Sequence, residues 1–252
     1  MLYSFYMKSI DIGLIIAMKE EADVLASSLD LKLNKLFKQE FLLYSNQDES
    51  IVVLCPGVNR NFTSEGRTVC RVGKVSAGII ASILIQKYRP KMIVNCGTAG
   101  GIKSAGVEIG DIIIADNVVN HDCHFINSPY KEYGSRKIAI KNYKLQLLKQ
   151  SYKIGTVSSG ESFITTTFEW NALRKSKAVA KEMEAAGILQ AAEILNYKKP
   201  IFIIKSITDL IDEKIQTRTS HSQYMKNYLT AIKSLKSIIK EIIDNRTKFL
   251  SL

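Results

Sequence analysis

Several carboxylates in this chain follow apolar runs, the place where α/β proteins do their chemistry. Glu20 and Glu21 come directly after the run Ile12–Ala17, Asp209 comes after Ile201–Ile207, and Glu182 and Glu184 open a helical pattern that follows a long loop. Open α/β sheets bind their ligands beyond the carboxyl ends of the strands. A carboxyl at such a place is partly sheltered from water, which raises its pKa and suits it to donate a proton near neutral pH. Taken singly each acid is weak evidence, because loop acids more often cap helices or stay solvated. Together with the turn Gly97-Thr98-Ala99-Gly100-Gly101 at the end of another strand, they imply a pocket for a neutral, hydroxyl-rich ligand.

Other chemistries fail on spacing. The Gly97–Gly101 turn lacks the G-x-G-x-x-G interval of a dinucleotide fold, and Gly73-Lys74 has Val75 where a P-loop needs Ser or Thr for Mg²⁺. No G-x-S-x-G elbow offers a nucleophilic serine. His121-Asp122-Cys123-His124 packs four ligand types into four residues, but neighbouring side chains point different ways and His221 is the only other histidine. The expectation is therefore no metal and no cofactor.

The elements that must carry these acids alternate along the chain. Strands are expected at Ile12–Ala17, Ile51–Cys55, Met92–Cys96, Ile112–Val119, Ile154–Ser158 and Ile201–Ile207, and helices at Glu20–Leu29, Lys74–Tyr88 and Glu182–Asn196. Pro56–Thr68 reads as a polar, turn-rich loop. Near the C-terminus Met225, Tyr228, Ile232, Leu235, Ile239 and Ile242 recur every three or four residues, the stripe of a helix docked on a sheet. This alternation predicts an α/β sandwich with helices on both faces of the sheet.

Composition fits that class. The 252 residues are 46% apolar and 23% charged, which excludes a disordered chain and allows one large core. A single domain over 1–252 is expected, with residues 1–6, ahead of Met7, as a dispensable extension. No apolar run approaches the roughly 18 residues of a membrane span, and the N-terminus lacks the pattern of a secretory signal. Cys55, Cys70, Cys96 and Cys123 form no C-x-x-C pair, so reduced thiols and a cytoplasmic setting are expected. The net charge of +11 comes from lysines and arginines spread along the chain, without the aromatic interleaving of single-strand binders. A solvated basic face is the reading adopted, so nucleic acid is not an expected partner; a polyanion-binding surface module is the alternative from a different class.

Five segments, I-G-L-I-I-A-M-K-E-E-A, V-N-C-G-T-A-G-G, V-S-S-G-E-S-F-I, A-K-E-M-E-A-A and I-I-K-S-I-T-D-L-I-D, occur in this order from Ile12 onward. In this the chain resembles the 5′-methylthioadenosine/S-adenosylhomocysteine nucleosidases of the purine nucleoside phosphorylase and uridine phosphorylase superfamily. The resemblance implies a three-layer α/β/α sandwich with a mixed central sheet, a homodimer, and a small-molecule nucleoside as substrate. It implies hydrolysis of the N9–C1′ bond, with Asp209 as the acid that protonates adenine and Glu21 as the base that activates water. It also implies that Met183 and Glu184 grip the ribose beside Glu182, that Thr98, Ala99 and Gly100 line the ribose and water side, that Phe163 and Ile164 hold adenine, and that Thr208 flanks the acid. Read without the resemblance, Phe163 and Ile164 are ordinary core residues.

The chain departs from the bacterial pattern at Lys205, where Arg is usual, at Thr208, where Ser is usual, and in the Pro56–Thr68 insertion. Lys205, the K-E-M-E spelling around Glu182–Glu184 and the insertion resemble the plant-type branch, which implies preference for methylthioadenosine over the bulkier homocysteine compound. The phosphorylase relatives carry a phosphate loop after the first strand; here Met18-Lys19-Glu20-Glu21 stands there, and its acids favour water over phosphate. Arg60 and Arg67 are the residues that could restore phosphate binding, which would make the chain a nucleoside phosphorylase instead.

Overall fold

The computed structural model describes residues 9–34, 40–64, 67–125, 129–212 and 221–251. The expected extension at residues 1–6 lies outside them. Strand β1 (Ile12–Ile15) leads into helix α1 (Lys19–Ser28), and three further strands follow, β2 (Lys32–Leu33), β3 (Leu42–Ser45) and β4 (Ile51–Cys55). A hairpin, β5 (Val58–Ser64) and β6 (Arg67–Cys70), precedes α2 (Lys74–Ile83) and β7 (Met92–Ile102). Next come β8 (Ile112–Asn120), α3 (Tyr130–Ser135), β9 (Ile138–Ala139), β10 (Lys153–Ser159), α4 (Thr167–Ser176) and β11 (Ala178–Glu182). Helix α5 (Ala185–Ile194), β12 (Ile201–Ile211), α6 (His221–Asp244) and α7 (Arg246–Leu250) complete the order.

The main sheet runs β11-β10-β8-β12-β7-β1-β4-β3-β2, with β9 on β8. It is mixed: β12 is parallel to β7 but antiparallel to β8. It also curls until β11 meets β7, pairing Ala180 with Gly101 and Lys181 with Gly100. Five strands thus close on themselves, and the carboxyl ends of β7, β11 and β12 crowd together.

Strand alternation decides which face each side chain fills. Ile12, Leu14, Val94 and Ile204 join Leu25 of α1 and Ile232, Leu235, Ile239 and Ile242 of α6 on one side. Ile15, Val52, Leu54 and Ile93 meet Ala77, Ile80 and Ala81 of α2 and Ile188 of α5 on the other. Helices therefore cover both faces, as the alternating pattern predicts. The stripe on α6 docks on the sheet, each fully buried Ile or Leu contributing roughly 2 kcal/mol, although Met225 at its start is exposed. No described helix is long and apolar enough to cross a membrane. Helices α2 and α5 cross closely enough that a Cβ on Gly187 would lie 2.1 Å from the Lys74 carbonyl, so only glycine fits there. That contact brings the amino ends of both helices to the same rim.

Several expected boundaries move. Pro56–Thr68 is largely the β5–β6 hairpin rather than a loop, since Val58 pairs with Cys70. The glycine-rich turn is the end of a long β7, because Gly97–Ile102 finds partners on β12 and β11. Asp209 lies inside β12, not after it, beyond an irregularity between Ile207 and Asp209. Glu182 ends β11 instead of opening a helix, and Glu184 sits just ahead of α5. Beyond Ile83 the α2 pattern widens into one π-helical turn, Leu84–Tyr88, which stops at Arg89 with φ 43° ahead of Pro90.

Candidate functional site

A cleft of about 810 Å³ opens where these strand ends meet. Glu21, Thr98, Ala99, Gly100, Phe163, Glu182, Met183, Glu184, Thr208 and Asp209 all line it. Ile164 does not, and its side chain stands 67% exposed. Of the expected site residues it is the one absent from the lining.

The first turn of α1 aims Glu21 into the cleft at 2% exposure. Its Oε1 accepts the Thr98 backbone N–H at 3.1 Å and the Thr98 hydroxyl at 2.7 Å. A Cβ on Gly97 would be 2.9 Å from Glu21 Oε2 and 3.8 Å from Lys205 Nζ, so the bare glycine is what lets these groups approach. Burial pushes the Glu21 carboxyl up to about 7, against the pull of the Thr98 hydroxyl and the Lys205 charge. The carboxyl is therefore poised to take a proton near neutral pH.

Lys205, on β12, is 1% exposed and holds two carboxylates, Glu182 at 2.9 Å and Glu184 at 3.3 Å. Burial disfavours its charge, but the carboxylates outweigh burial and keep it an ammonium. Glu182 is fully engaged. It accepts the Ser159 hydroxyl, the backbone N–H of Glu184 at 3.0 Å and that of Ala185 at 3.0 Å, besides Lys205. It thus anchors the start of α5, and despite burial Lys205 and these donors hold its pKa below the ordinary value. Among the described residues Glu184 accepts only the weaker Gly73 N–H at 3.3 Å and Lys205, and burial raises its pKa. Of the two, Glu184 is the carboxylate with capacity left for a ligand hydroxyl.

Asp209 stands across the cleft. The irregularity in β12 just before it is a bulge, a device that re-aims a side chain. The Thr208 hydroxyl donates to Asp209 Oδ1 at 2.8 Å. Burial raises the Asp209 pKa above the usual carboxylate value, opposed by Thr208 and by Lys181. One end of the cleft thus holds a carboxyl able to give up a proton, and the other a carboxyl able to take one.

In the His121–His124 cluster, His121 and Asp122 have partners within the protein. His121 is fully buried with Nδ1 3.0 Å from Ser158 Oγ, and burial pushes its pKa down to about 4. Asp122 is taken by the Lys74 ammonium at 2.5 Å and the Glu161 N–H at 2.7 Å. Among the described residues no group of three or more acidic, histidine or cysteine side chains gathers to hold a metal. Lining residues not anticipated from sequence include Lys181, Ser162, Met18, Val72, Ile211 and Tyr224. Lys181 has a readable signal: the capping box Thr166-x-x-Glu169 starts α4, which makes Ala178–Glu182 the strand that follows it.

The chain is similar to known proteins over most of its length. The chain is 28% identical over 239 residues to a 5′-methylthioadenosine/S-adenosylhomocysteine nucleosidase of Arabidopsis thaliana, covering 91% of this chain and 89% of that one. It is 32% identical over 219 residues to a protein of the same description from Buchnera aphidicola, covering 81% and 80%. The apo structure of Arabidopsis thaliana 5′-methylthioadenosine nucleosidase superposes with a TM-score of 0.82 at 27% identity, covering 95% of this chain and 96% of that one. A family model described as the phosphorylase superfamily matches residues 11–244, nearly the whole chain, and the protein belongs to that superfamily.

Proposed function

We propose that this protein is an N-ribosyl hydrolase that cleaves 5′-methylthioadenosine to adenine and methylthioribose, with S-adenosylhomocysteine as a second substrate. The reading is carried by one observation: Glu21, Glu184 and Asp209, separated by up to 188 positions in sequence, share a single cleft. Asp209 gives its proton to N7, so the N9–C1′ electron pair leaves on a neutral base. The sugar passes through an oxocarbenium-like state, as in glycoside hydrolysis, which the Glu184 carboxylate stabilises while accepting ribose hydroxyls. Water adds to C1′ and its proton goes to Glu21. Phe163 stacks on the base, and Thr98, Ala99, Gly100 and Met183 close around the sugar, with Thr208 steering Asp209. Glu182 serves by holding Lys205 and the start of α5.

Water rather than phosphate is the acceptor. The cations lining the cleft are Lys181 and Lys205, and each is already engaged, the first by the Phe163 carbonyl and the second by two carboxylates. Arg60 is exposed on β5, away from the lining, and the Arg67 side chain lies outside the described residues. The chain acts as one domain and as a homodimer. The groove between α2 and α5, about 1390 Å³ and flanked by exposed Val75, Ile79 and Ile194, supports pairing with a second copy. Four free thiols support a cytoplasmic setting.

The test is release of the free base, adenine from methylthioadenosine and S-adenosylhomocysteine and hypoxanthine from inosine, each with and without phosphate. Release from methylthioadenosine in phosphate-free buffer is expected. A requirement for phosphate would make the protein a nucleoside phosphorylase instead.

A further inference from the structure

Lys181 is a buried charge in the cleft that the chemistry above leaves without a part. It is the fourth residue of β11 and 7% exposed. Closure of the sheet sets it opposite Gly100 of β7, and Gly100 is also the partner of Asp209 on β12. A Cβ on Gly100 would stand 3.2 Å from Asp209 Oδ2, so the two charged residues flank one bare glycine at the same level of the cleft. The Lys181 ammonium does not point to solvent. It donates to the Phe163 carbonyl at 2.8 Å and to Thr165 Oγ1 at 2.6 Å. A buried ammonium persists only where such acceptors satisfy it, and here both belong to the segment that presents Phe163 to the cleft.

We propose that Lys181 is the positioning residue of the base end: it ties the Phe163 segment to the sheet at a set distance from Asp209, so that a purine stacked on Phe163 meets the acid squarely. This inference rests on the nucleoside reading for its substrate, but the tie itself does not. The charge also acts on the acid. Asp209 faces Lys181 from β12, Glu169 faces it from α4, and Asp122 and the neutral His121 face it from the end of β8. Tyr224 of α6 faces Asp209 from the other side. Among these the ammonium is the group that draws the proton off Asp209, so its loss lets Asp209 stay protonated to higher pH.

The experiment compares Lys181→Met and Lys181→Arg with the unaltered chain, by hydrogen exchange over residues 162–166 and by steady-state adenine release across pH. In Lys181→Met the segment's amides should exchange at least about tenfold faster as the tie is lost. KM for methylthioadenosine should rise roughly 10- to 100-fold, the scale of a 1 Å misplacement, with a smaller fall in kcat and with the alkaline limb of kcat/KM displaced to higher pH. Lys181→Arg keeps the charge and donors, so its alkaline limb should stay in place and its exchange should stay slow. A Met variant with unchanged exchange, KM and alkaline limb overturns the inference. If the unaltered chain releases no adenine, the nucleoside reading falls, and the exchange rates alone still decide whether Lys181 holds the segment.

Discussion

The two ends of the cleft are built to different standards. At the end proposed to hold the sugar, Glu21, Glu182, Glu184 and Lys205 are all buried and bound to one another or to backbone N–H groups. At the end proposed to hold the base, Phe163 stands 71% exposed, and among the described residues Asp209 accepts a side-chain hydrogen bond from Thr208. Charge explains the difference. A sugar that becomes positive needs carboxylates fixed in advance, because preorganised groups cost no reorganisation at the moment of reaction. In the proposed reaction a flat neutral purine needs only a surface and one proton, and its arrival would desolvate Asp209 further and so raise its pKa when the proton is wanted. One end is thus a rigid electrostatic site and the other is finished by its ligand.

The largest test of this contrast removes one reacting carboxyl from each end. Glu21→Gln and Asp209→Asn should each lower kcat by roughly 10²–10⁴, the usual contribution of a positioned acid or base, with an unchanged circular dichroism spectrum. A near-normal rate in either variant would remove the mechanism. The next test separates rigidity from binding. Lys205→Met strands Glu182 and Glu184 without their counter-charge, and breaking a buried pair from one side costs about 3–5 kcal/mol. The melting temperature should fall by roughly 10 °C at this chain length. Phe163→Ala, at the open end, should leave the melting temperature in place and raise KM about tenfold, within the range of base–aromatic stacking. Equal thermal losses in both variants would mean the two ends are not differently built.

The same contrast separates what sequence could reveal from what it could not. Glu21 and Asp209 could be read as candidates because each comes after an apolar run in the sequence, a local pattern, and the roles proposed for them come from the resemblance. The acids at 182 and 184 were legible as a pair, but not their division of labour, since that depends on Ser159 and Lys205 arriving from other strands. Lys181 meets a similar limit: the capping box before it points to its strand, but a lysine in A-V-A-K-E looks like a solvated residue until β11 closes onto β7 and buries it. Ile164 sits outside the lining with its side chain exposed, a placement that the apolar pair Phe163-Ile164 does not reveal. Elements rich in alternating apolar residues, β1, β4, β8 and α6, were all placed, whereas the short β2 and β9, and the hairpin hidden in Pro56–Thr68, rest on pairing rather than composition.

The smallest expected effect is the most specific to Glu21. As a base Glu21 acts ionised, and with its carboxyl raised to about 7 the acid limb of kcat/KM for methylthioadenosine should climb through that pH. The Thr98 hydroxyl donates to Oε1 at 2.7 Å, which favours the ionised form. Thr98→Val deletes that donor while keeping the shape and the backbone N–H, so the proton is held more tightly and the limb must move to higher pH. A hydrogen bond to a charged group is worth about 1.5 kcal/mol or more, and one pKa unit is about 1.4 kcal/mol. The midpoint should therefore rise by about one unit, measured as a profile from pH 5 to 9. Because the exposed base end has no contact with Thr98, the alkaline limb should stay where it was; movement of the alkaline limb instead, with the acid limb fixed, would assign the base to a residue other than Glu21.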